Sequence, residues 1–181
     1  MLTGQLLIAM PQMQDPRFAQ SVIYMCAHSA AGAMGLVVNK VVEQPSIADL
    51  LRQLGIGGEG FGQAQVHFGG PVESERGFVL HSADYTEETT LVVEGRLGLT
   101  ATMDILRAIG RGQGPRHRLL ALGYAGWGPG QLDAEIQANG WLHVAADDAL
   151  VFDRDHRDKW RRAIAKLGVD PIALSGDAGH A

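Results

Sequence analysis

The residues best suited to chemistry begin at Gly123-Tyr124-Ala125-Gly126-Trp127-Gly128-Pro129-Gly130, between a predicted strand at Leu119 to Gly123 and a predicted helix from Pro129 to about Asn139. A glycine loop between strand and helix can turn backbone N–H groups and the helix N-terminus toward a phosphate or carboxylate. Gly126, Trp127 and Gly128 are therefore candidate ligand-binding residues, with Trp127 as a stacking or lid residue. The segment is not a P-loop, because no Gly-Lys-Ser/Thr follows. It is not a dinucleotide fingerprint either, because Gln131 stands where the third glycine belongs. The competing reading is a tight turn whose tryptophan fills the core.

A second set lies at or just beyond predicted strand ends: Asn39 and Lys40, Gly69 and Gly70 followed by Arg76, and His81. Polar groups at strand ends can converge on one crevice, whereas side chains within a strand alternate between core and solvent. Lys40 and Arg76 would supply its cations; alternatively, Arg76 pairs with Glu73 or Glu75 in a surface contact of small energetic value. Cys26 and His28 share a strand face by period-two spacing, which suggests a thiol activated by imidazole. Such side chains do not ordinarily reach hydrogen-bond distance, so a buried, unreactive thiol is the competing reading. The seven histidines show no His-x-x-His, His-x-x-x-His or Cys-x-x-Cys spacing and there is no Gly-x-Ser-x-Gly elbow; neither a metal nor a cofactor is expected.

The chain that must position these residues has 181 amino acids, enough to bury a sizeable core. Its 46% apolar and 19% charged residues fit a globular protein and exclude disordered and coiled-coil classes. Glycine is the outlier, with 24 residues and no repeating period. Those at Gly55 to Gly62 and Gly110 to Gly114 are expected to make loops, while Gly32, Gly35, Gly69, Gly70 and Gly123 to Gly130 would serve either a backbone-lined site or a bulged sheet. The net charge of −5 opposes a broad nucleic-acid face. Residues 1–106 carry 5 basic and 11 acidic side chains whereas residues 107–181 carry 10 and 9, so any anion site is expected in the second half rather than the first. Arg107, Arg111, Arg116 and Arg118 form a basic cluster around a turn, and a second falls on a helix at 157–167; the second is read as a solvated amphipathic face, since a nucleic-acid face would want more charge and a recognisable reading helix. One cysteine, no leader pattern and no long apolar run point to a soluble, cytoplasmic protein with no membrane association.

Period-two patterns predict strands at Gln5 to Met10, Val22 to His28, Gly35 to Asn39, Val66 to Phe68, Gly77 to His81, Thr89 to Val93, Leu119 to Gly123 and Trp141 to Val144. Ser46 and Thr102 offer caps for short amphipathic helices that end at Gly55 and Gly110. In the helix at 157–167, Trp160, Ala163, Ile164 and Leu167 should face inward, and Arg157, Lys159, Arg161, Arg162 and Lys166 outward. Several strand connections are too short for parallel crossovers. The expected fold is therefore α+β, a mixed and mostly antiparallel sheet with flanking helices in one domain spanning 1–181, its tail loose from about residue 175.

Four segments carry a resemblance: Leu2-Thr3-Gly4 with Met10-Pro11 and Asp15-Pro16; Gly32-Ala33-Met34-Gly35-Leu36-Val37-Val38-Asn39-Lys40; Gly69-Gly70-Pro71-Val72 with Arg76-Gly77-Phe78-Val79-Leu80-His81; and Gly123 through Leu132. In this order they resemble the AlgH/YqgE family of small bacterial proteins, from about Leu2 to Leu174. Gln12, Ala27 and Val41 depart from residues usual in that family, and Ala27 removes an acid often found beside Cys26. The resemblance implies a bulged, mixed sheet with flanking helices and a cytoplasmic bacterial protein. It implies no reaction, because the family is uncharacterised, although many members inherit a transcriptional-regulator label.

Two functional readings follow. One is a regulatory or interaction protein acting through a small anionic ligand or a protein partner. The other is an enzyme acting on a small phosphorylated or carboxylated metabolite. Direct DNA binding is a third and weaker reading, since the charge balance opposes it and no DNA-binding motif is visible.

Overall fold

The structure, a computed structural model, describes residues 1–168; the expected loose tail and His180 lie outside them. Among the described residues, nine strands form one sheet in the spatial order Leu91–Val93, Leu97–Thr100, Val72–Ser82, Arg118–Trp127, Gly32–Val37, Val22–Ser29, Gln5–Ala9, Trp141–Ala145, with Val66–Phe68 paired to Arg118–Trp127 off this path. β1 (Gln5–Ala9), β2 (Val22–Ser29) and β3 (Gly32–Val37) make the expected antiparallel start, with β2 and β3 joined by a hairpin across Ala30 and Ala31. β9 (Trp141–Ala145) pairs antiparallel with β1, and β4 (Val66–Phe68) is parallel to β8 (Arg118–Trp127). The sheet is therefore mixed and mostly antiparallel, in an α+β fold.

The short helices follow local capping chemistry. In α1 (Ile47–Leu54), Ser46 accepts from the Asp49 N–H and Gly55 closes the helix in the left-handed region at φ 69°. In α2 (Met103–Gly110), Thr102 accepts from the Ile105 N–H. α3 (Gln131–Gln137) is shorter than the expected Pro129-to-Asn139 helix.

Several elements differ from expectation. β5 (Val72–Ser82) begins before Gly77 and carries a register shift between Val72 and Gly77. Of Thr89 to Val93, only β6 (Leu91–Val93) pairs, against β7 (Leu97–Thr100). Period-two reading does not find β7 because Gly98 interrupts it; a Cβ there would lie 2.6 Å from the His81 ring, so the strand gives up a side chain to make room for that imidazole. α4 (Asp148–Phe152) is too short for helical periodicity to register, yet it buries Leu150 and Val151 under an Asp147 cap. The final helix divides into a 3-10 turn at His156–Asp158 and α5 (Lys159–Ala165). Trp160, Ala163 and Ile164 face inward as expected, but Lys159 is fully buried and Leu167 is exposed, the reverse of the expectation for both. The early turn shifts the inward stripe, and Lys159 is admitted because the Val38 and Val151 carbonyls accept from its ammonium at 2.9 and 2.6 Å.

The largest difference is β8. Gly123 to Trp127 is strand, not a loop. The first half of β8 lies between β4 and β5, and its last residues pair with β3. The partner change occurs at Gly123, in the left-handed region at φ 75°. There Gly70 approaches so closely that a Cβ on it would sit 2.0 Å from the Tyr124 carbonyl carbon, and one on Gly123 would sit 2.2 Å from the Gly70 oxygen. The Gly69-Gly70 and Gly123 motifs are thus two sides of one backbone crossing, the requirement of a bulged sheet.

Candidate functional site

The arginines of the second half gather where the start of β8 meets β4 and the end of α4. A cleft of about 290 Å³ opens there, lined by Arg116, His117 and Arg118 of the β8 approach, His67 of β4, and Phe152, Asp153 and Arg154 at the end of α4. Phe61, Gln63, Ala64 and Gln65 also line it, with the buried Val79, Ile109, Leu119 and Leu120. Arg118 braces the wall by donating to the Gly60 and Pro115 carbonyls at 2.5 and 3.3 Å. Asp153 does not neutralise the cleft, since its carboxylate already binds Arg162 at 2.8 Å and the Asp155 N–H at 2.8 Å. Among the described residues, the guanidinium groups of Arg116 and Arg154 form no salt bridge. Arg116 and Arg154 thus line the cleft beside the His67 and His117 imidazoles and the paired Asp153 carboxylate, and the Arg116 backbone N–H donates to Asp84 at 2.9 Å.

His67 tunes this cleft. Its Nδ1 meets the Leu120 carbonyl oxygen at 3.3 Å; since a carbonyl only accepts, Nδ1 carries the proton. Burial pushes its pKa down to about 4, and the nearby Lys159 ammonium acts in the same direction. Lys159 itself is lowered to about 8 by burial, against a smaller opposing pull from Asp153. His117 is exposed and stacks on Phe152, with centroids 5.7 Å apart and planes 26° apart.

A family model described as AlgH-like matches residues 6–172. The chain belongs to the AlgH-like family. The AlgH-like chain is 56% identical over 189 residues to a UPF0301 protein of Afipia carboxidovorans, covering 99% of this chain and 90% of that protein. It is 55% identical over 181 residues to a UPF0301 protein of Rhodospirillum rubrum, covering 99% and 94%. The solution structure of the AlgH protein from Pseudomonas aeruginosa superposes with a TM-score of 0.81 at 42% identity, covering 99% of this chain and 96% of that one. A crystal structure of a Corynebacterium diphtheriae protein has a TM-score of 0.74 at 20% identity, covering 92% and 87%, which shows a shared fold alone.

The residues singled out from the sequence fall in several places. Arg76, Gly126 and Trp127 share one open depression of about 580 Å³. Arg76 pairs there with Glu73 at 3.6 Å and lies over the Phe78 ring at 5.0 Å. Trp127 is buried and donates through Nε1 to Glu135 at 3.1 Å, and the Gly128 N–H donates to the Gln131 side chain at 2.9 Å. Asn39 is a buried clamp that accepts from the Val22 N–H and donates to the Gln20 carbonyl, both at 2.8 Å. Lys40 donates to the Pro16 and Arg17 carbonyls at 3.2 Å each, and burial lowers its pKa. His81 is fully buried, with Nε2 at 2.7 Å from the Thr100 hydroxyl and Nδ1 at 2.9 Å from the Ser82 carbonyl. Gly69 and Gly70 occupy the β8 crossing described above.

Cys26 and His28 do not share a face. A bulge between Met25 and Ala27 breaks the alternation: Cys26 packs in the core cluster around Tyr24, while the His28 Nε2 lies 3.5 Å from Asp133 on α3, whose neighbour Leu132 belongs to a different cluster. Burial raises the Cys26 thiol to about 12, so it is not a nucleophile at neutral pH. Among the described residues no group of three or more His, Cys, Asp or Glu side chains is placed to hold a metal ion, and no helix is long and apolar enough to cross a membrane. Sequence reading noted the Arg116–Arg118 cluster but could not associate it with His67 or Arg154, which only the fold brings to the same cleft.

Proposed function

We propose that this AlgH-like chain is a cytoplasmic regulatory or interaction protein that takes a small anionic ligand in the cleft lined by Arg116, His117, Arg118 and Arg154. The observation that carries this reading is the pair of guanidiniums, Arg116 and Arg154, without a salt bridge among the described residues. Arginine forks match the oxygens of phosphate and carboxylate, and the cleft is sized for a small molecule. The depression around Arg76 and Trp127 is the weaker candidate, because Arg76 is engaged by Glu73 and Phe78. The net charge of −5 argues against a nucleic-acid face.

Calorimetric titration with inorganic phosphate, pyrophosphate and citrate tests the reading. Binding to the natural chain that weakens at least about tenfold in the double variant Arg116→Gln/Arg154→Gln is the expected result. Equal binding by both proteins overturns it, as does the absence of binding by every phosphorylated and carboxylated probe tried. Co-purified ligands identified by mass spectrometry and incubated with fresh protein should remain unchanged; their conversion would favour the enzyme reading instead.

A further inference from the structure

We infer that the anion taken by the Arg116–Arg154 cleft is a phosphate monoester carrying a flat, heteroatom-bearing ring, of the size of a nucleoside monophosphate. This inference rests on the anion-binding reading of the same cleft and adds the chemical class of the ligand.

The argument begins with donor count. Each guanidinium presents five N–H donors in a fixed fork, whereas a carboxylate offers about four lone-pair sites. Arg116 and Arg154, both on the lining and both unbridged among the described residues, offer more donors than one carboxylate can accept. A phosphate monoester, with three terminal oxygens and a charge between about −1.5 and −2, matches that supply.

The rest of the lining extends past what a bare inorganic ion would touch. Gln63, Gln65, His117 and Phe152 line the same cleft as the arginines, while Phe61, Val79 and Leu119 are buried and expose little apolar surface to it. His117 and Phe152 form a stacked pair at 5.7 Å beside the arginines, and the imidazole is exposed. Such a platform suits a further planar ring, held by stacking of about 1–3 kcal/mol in base-binding proteins. Gln63 and Gln65, in the same lining, carry amides that donate and accept, the pattern needed to read the edge of a nitrogen- and oxygen-bearing ring. The volume of about 290 Å³ is at the low end for small-molecule pockets, which suits a mononucleotide and excludes an oligonucleotide enclosed within it.

The test compares AMP, GMP, CMP and UMP with ribose 5-phosphate, inorganic phosphate and adenosine by calorimetry on the full chain. At least one mononucleotide should bind about tenfold or more tightly than both ribose 5-phosphate and inorganic phosphate. Arg116→Gln/Arg154→Gln should weaken every phosphorylated probe. His117→Ala, an exposed position, should weaken the mononucleotide several-fold more than it weakens ribose 5-phosphate; Phe152→Leu, checked for an unaltered thermal melt, should do the same. If inorganic phosphate and ribose 5-phosphate bind as tightly as every mononucleotide, the ring is not recognised and this inference fails while anion binding stands. If adenosine binds as tightly as AMP, the phosphate requirement fails. If no probe binds, and inorganic pyrophosphate and citrate do not bind either, both readings fall together.

Discussion

The ammonium of Lys159 donates to the carbonyl oxygen of Val38 at 2.9 Å, fastening α5 to the sheet across 121 residues of chain. Among the described residues no carboxylate accepts from it; its second partner is the Val151 carbonyl. A buried cation held only by carbonyls pays a desolvation penalty, and its pKa falls to about 8 from the ordinary 10.5. Between those values the unfolded chain holds more protons than the native one, so this lysine's contribution makes the fold more stable as pH rises from about 8 to 10.5. The gain is on the order of 1–3 kcal/mol. Cys26, whose thiol is raised to about 12, acts in the opposite sense above its ordinary value of 9.0, so the informative quantity is a difference between proteins. In urea titrations at pH 7.5 and 9.5, the stability of the natural chain relative to Lys159→Met should increase with pH. A pH-independent difference would show that the lysine is not penalised by burial.

His67 gives the corresponding signal in acid. Its pKa is depressed from 6.5 to about 4, so the native state resists a proton that the unfolded chain accepts. Lys159 and His156 both disfavour the charged ring, and Arg116, His117, Arg118 and Arg154 share its cleft with the already paired Asp153. Its contribution therefore falls as pH drops from about 6.5 to 4, by on the order of 1–3 kcal/mol. His67→Gln retains a donor for the Leu120 carbonyl and cannot titrate. Its stability should decline less steeply over this interval, as measured by guanidinium unfolding at pH 6.5 and 4.5; parallel declines would contradict the assignment.

Gly70 and Gly126 belong to similar-looking motifs but should respond differently to one methyl group. At Gly70, φ is +153° and a Cβ would meet the Tyr124 carbonyl carbon at 2.0 Å, a backbone atom that cannot move aside. At Gly126 the nearest atom is a Tyr124 ring carbon at 3.4 Å, and the backbone there is outside the positive-φ region. Gly70→Ala should lose several kcal/mol and fail to fold stably, whereas Gly126→Ala should change stability by less than about 1 kcal/mol. Thermal melts of the two variants decide the matter, and equal tolerance would dismiss the crossing as the reason for Gly70.

One carboxylate serves two tryptophans. Glu135 Oε1 accepts from Trp127 Nε1 at 3.1 Å and Trp141 Nε1 at 2.9 Å, while Gln131 binds the other oxygen at 2.8 Å. Glu135→Ala leaves two indole donors of nearly buried rings without their acceptor, a loss of about 2–4 kcal/mol, and Glu135→Gln should recover part of it. Two of the chain's three tryptophans report on the change, so the emission spectrum should shift in Glu135→Ala under native conditions. An unchanged spectrum together with unchanged stability would mean that the shared carboxylate contributes nothing.

Much of the local structure was legible because it depends on neighbours in sequence. Ser46, Gly55 and Thr102 form the caps that their residue types indicate, and the β1-β2-β3 start follows from short turns and alternating apolar residues. The glycine motifs were legible in the sequence, while two causes for them, a backbone-lined site and a bulged sheet, stayed open. A strand that changes partners at Gly123 and a loop that cradles an anion demand the same residue, and only the approach of Gly70 distinguishes them. Likewise, one inserted residue in β2 places Cys26 and His28 on different faces, a change that period-two counting cannot register.

By itself, then, the amino-acid order determined the α+β class, the capped helices, the family resemblance and the concentration of cations after residue 106, because each depends on residue type or on contacts a few positions apart. The tertiary structure alone decided that Lys159 is buried, that Asn39 and His81 are internal polar anchors, and that His67 and Arg154 join Arg116 at one cleft. Those outcomes depend on which distant strands pair and where the curled sheet leaves space, and no local pattern encodes the distance between residues 67, 116 and 154.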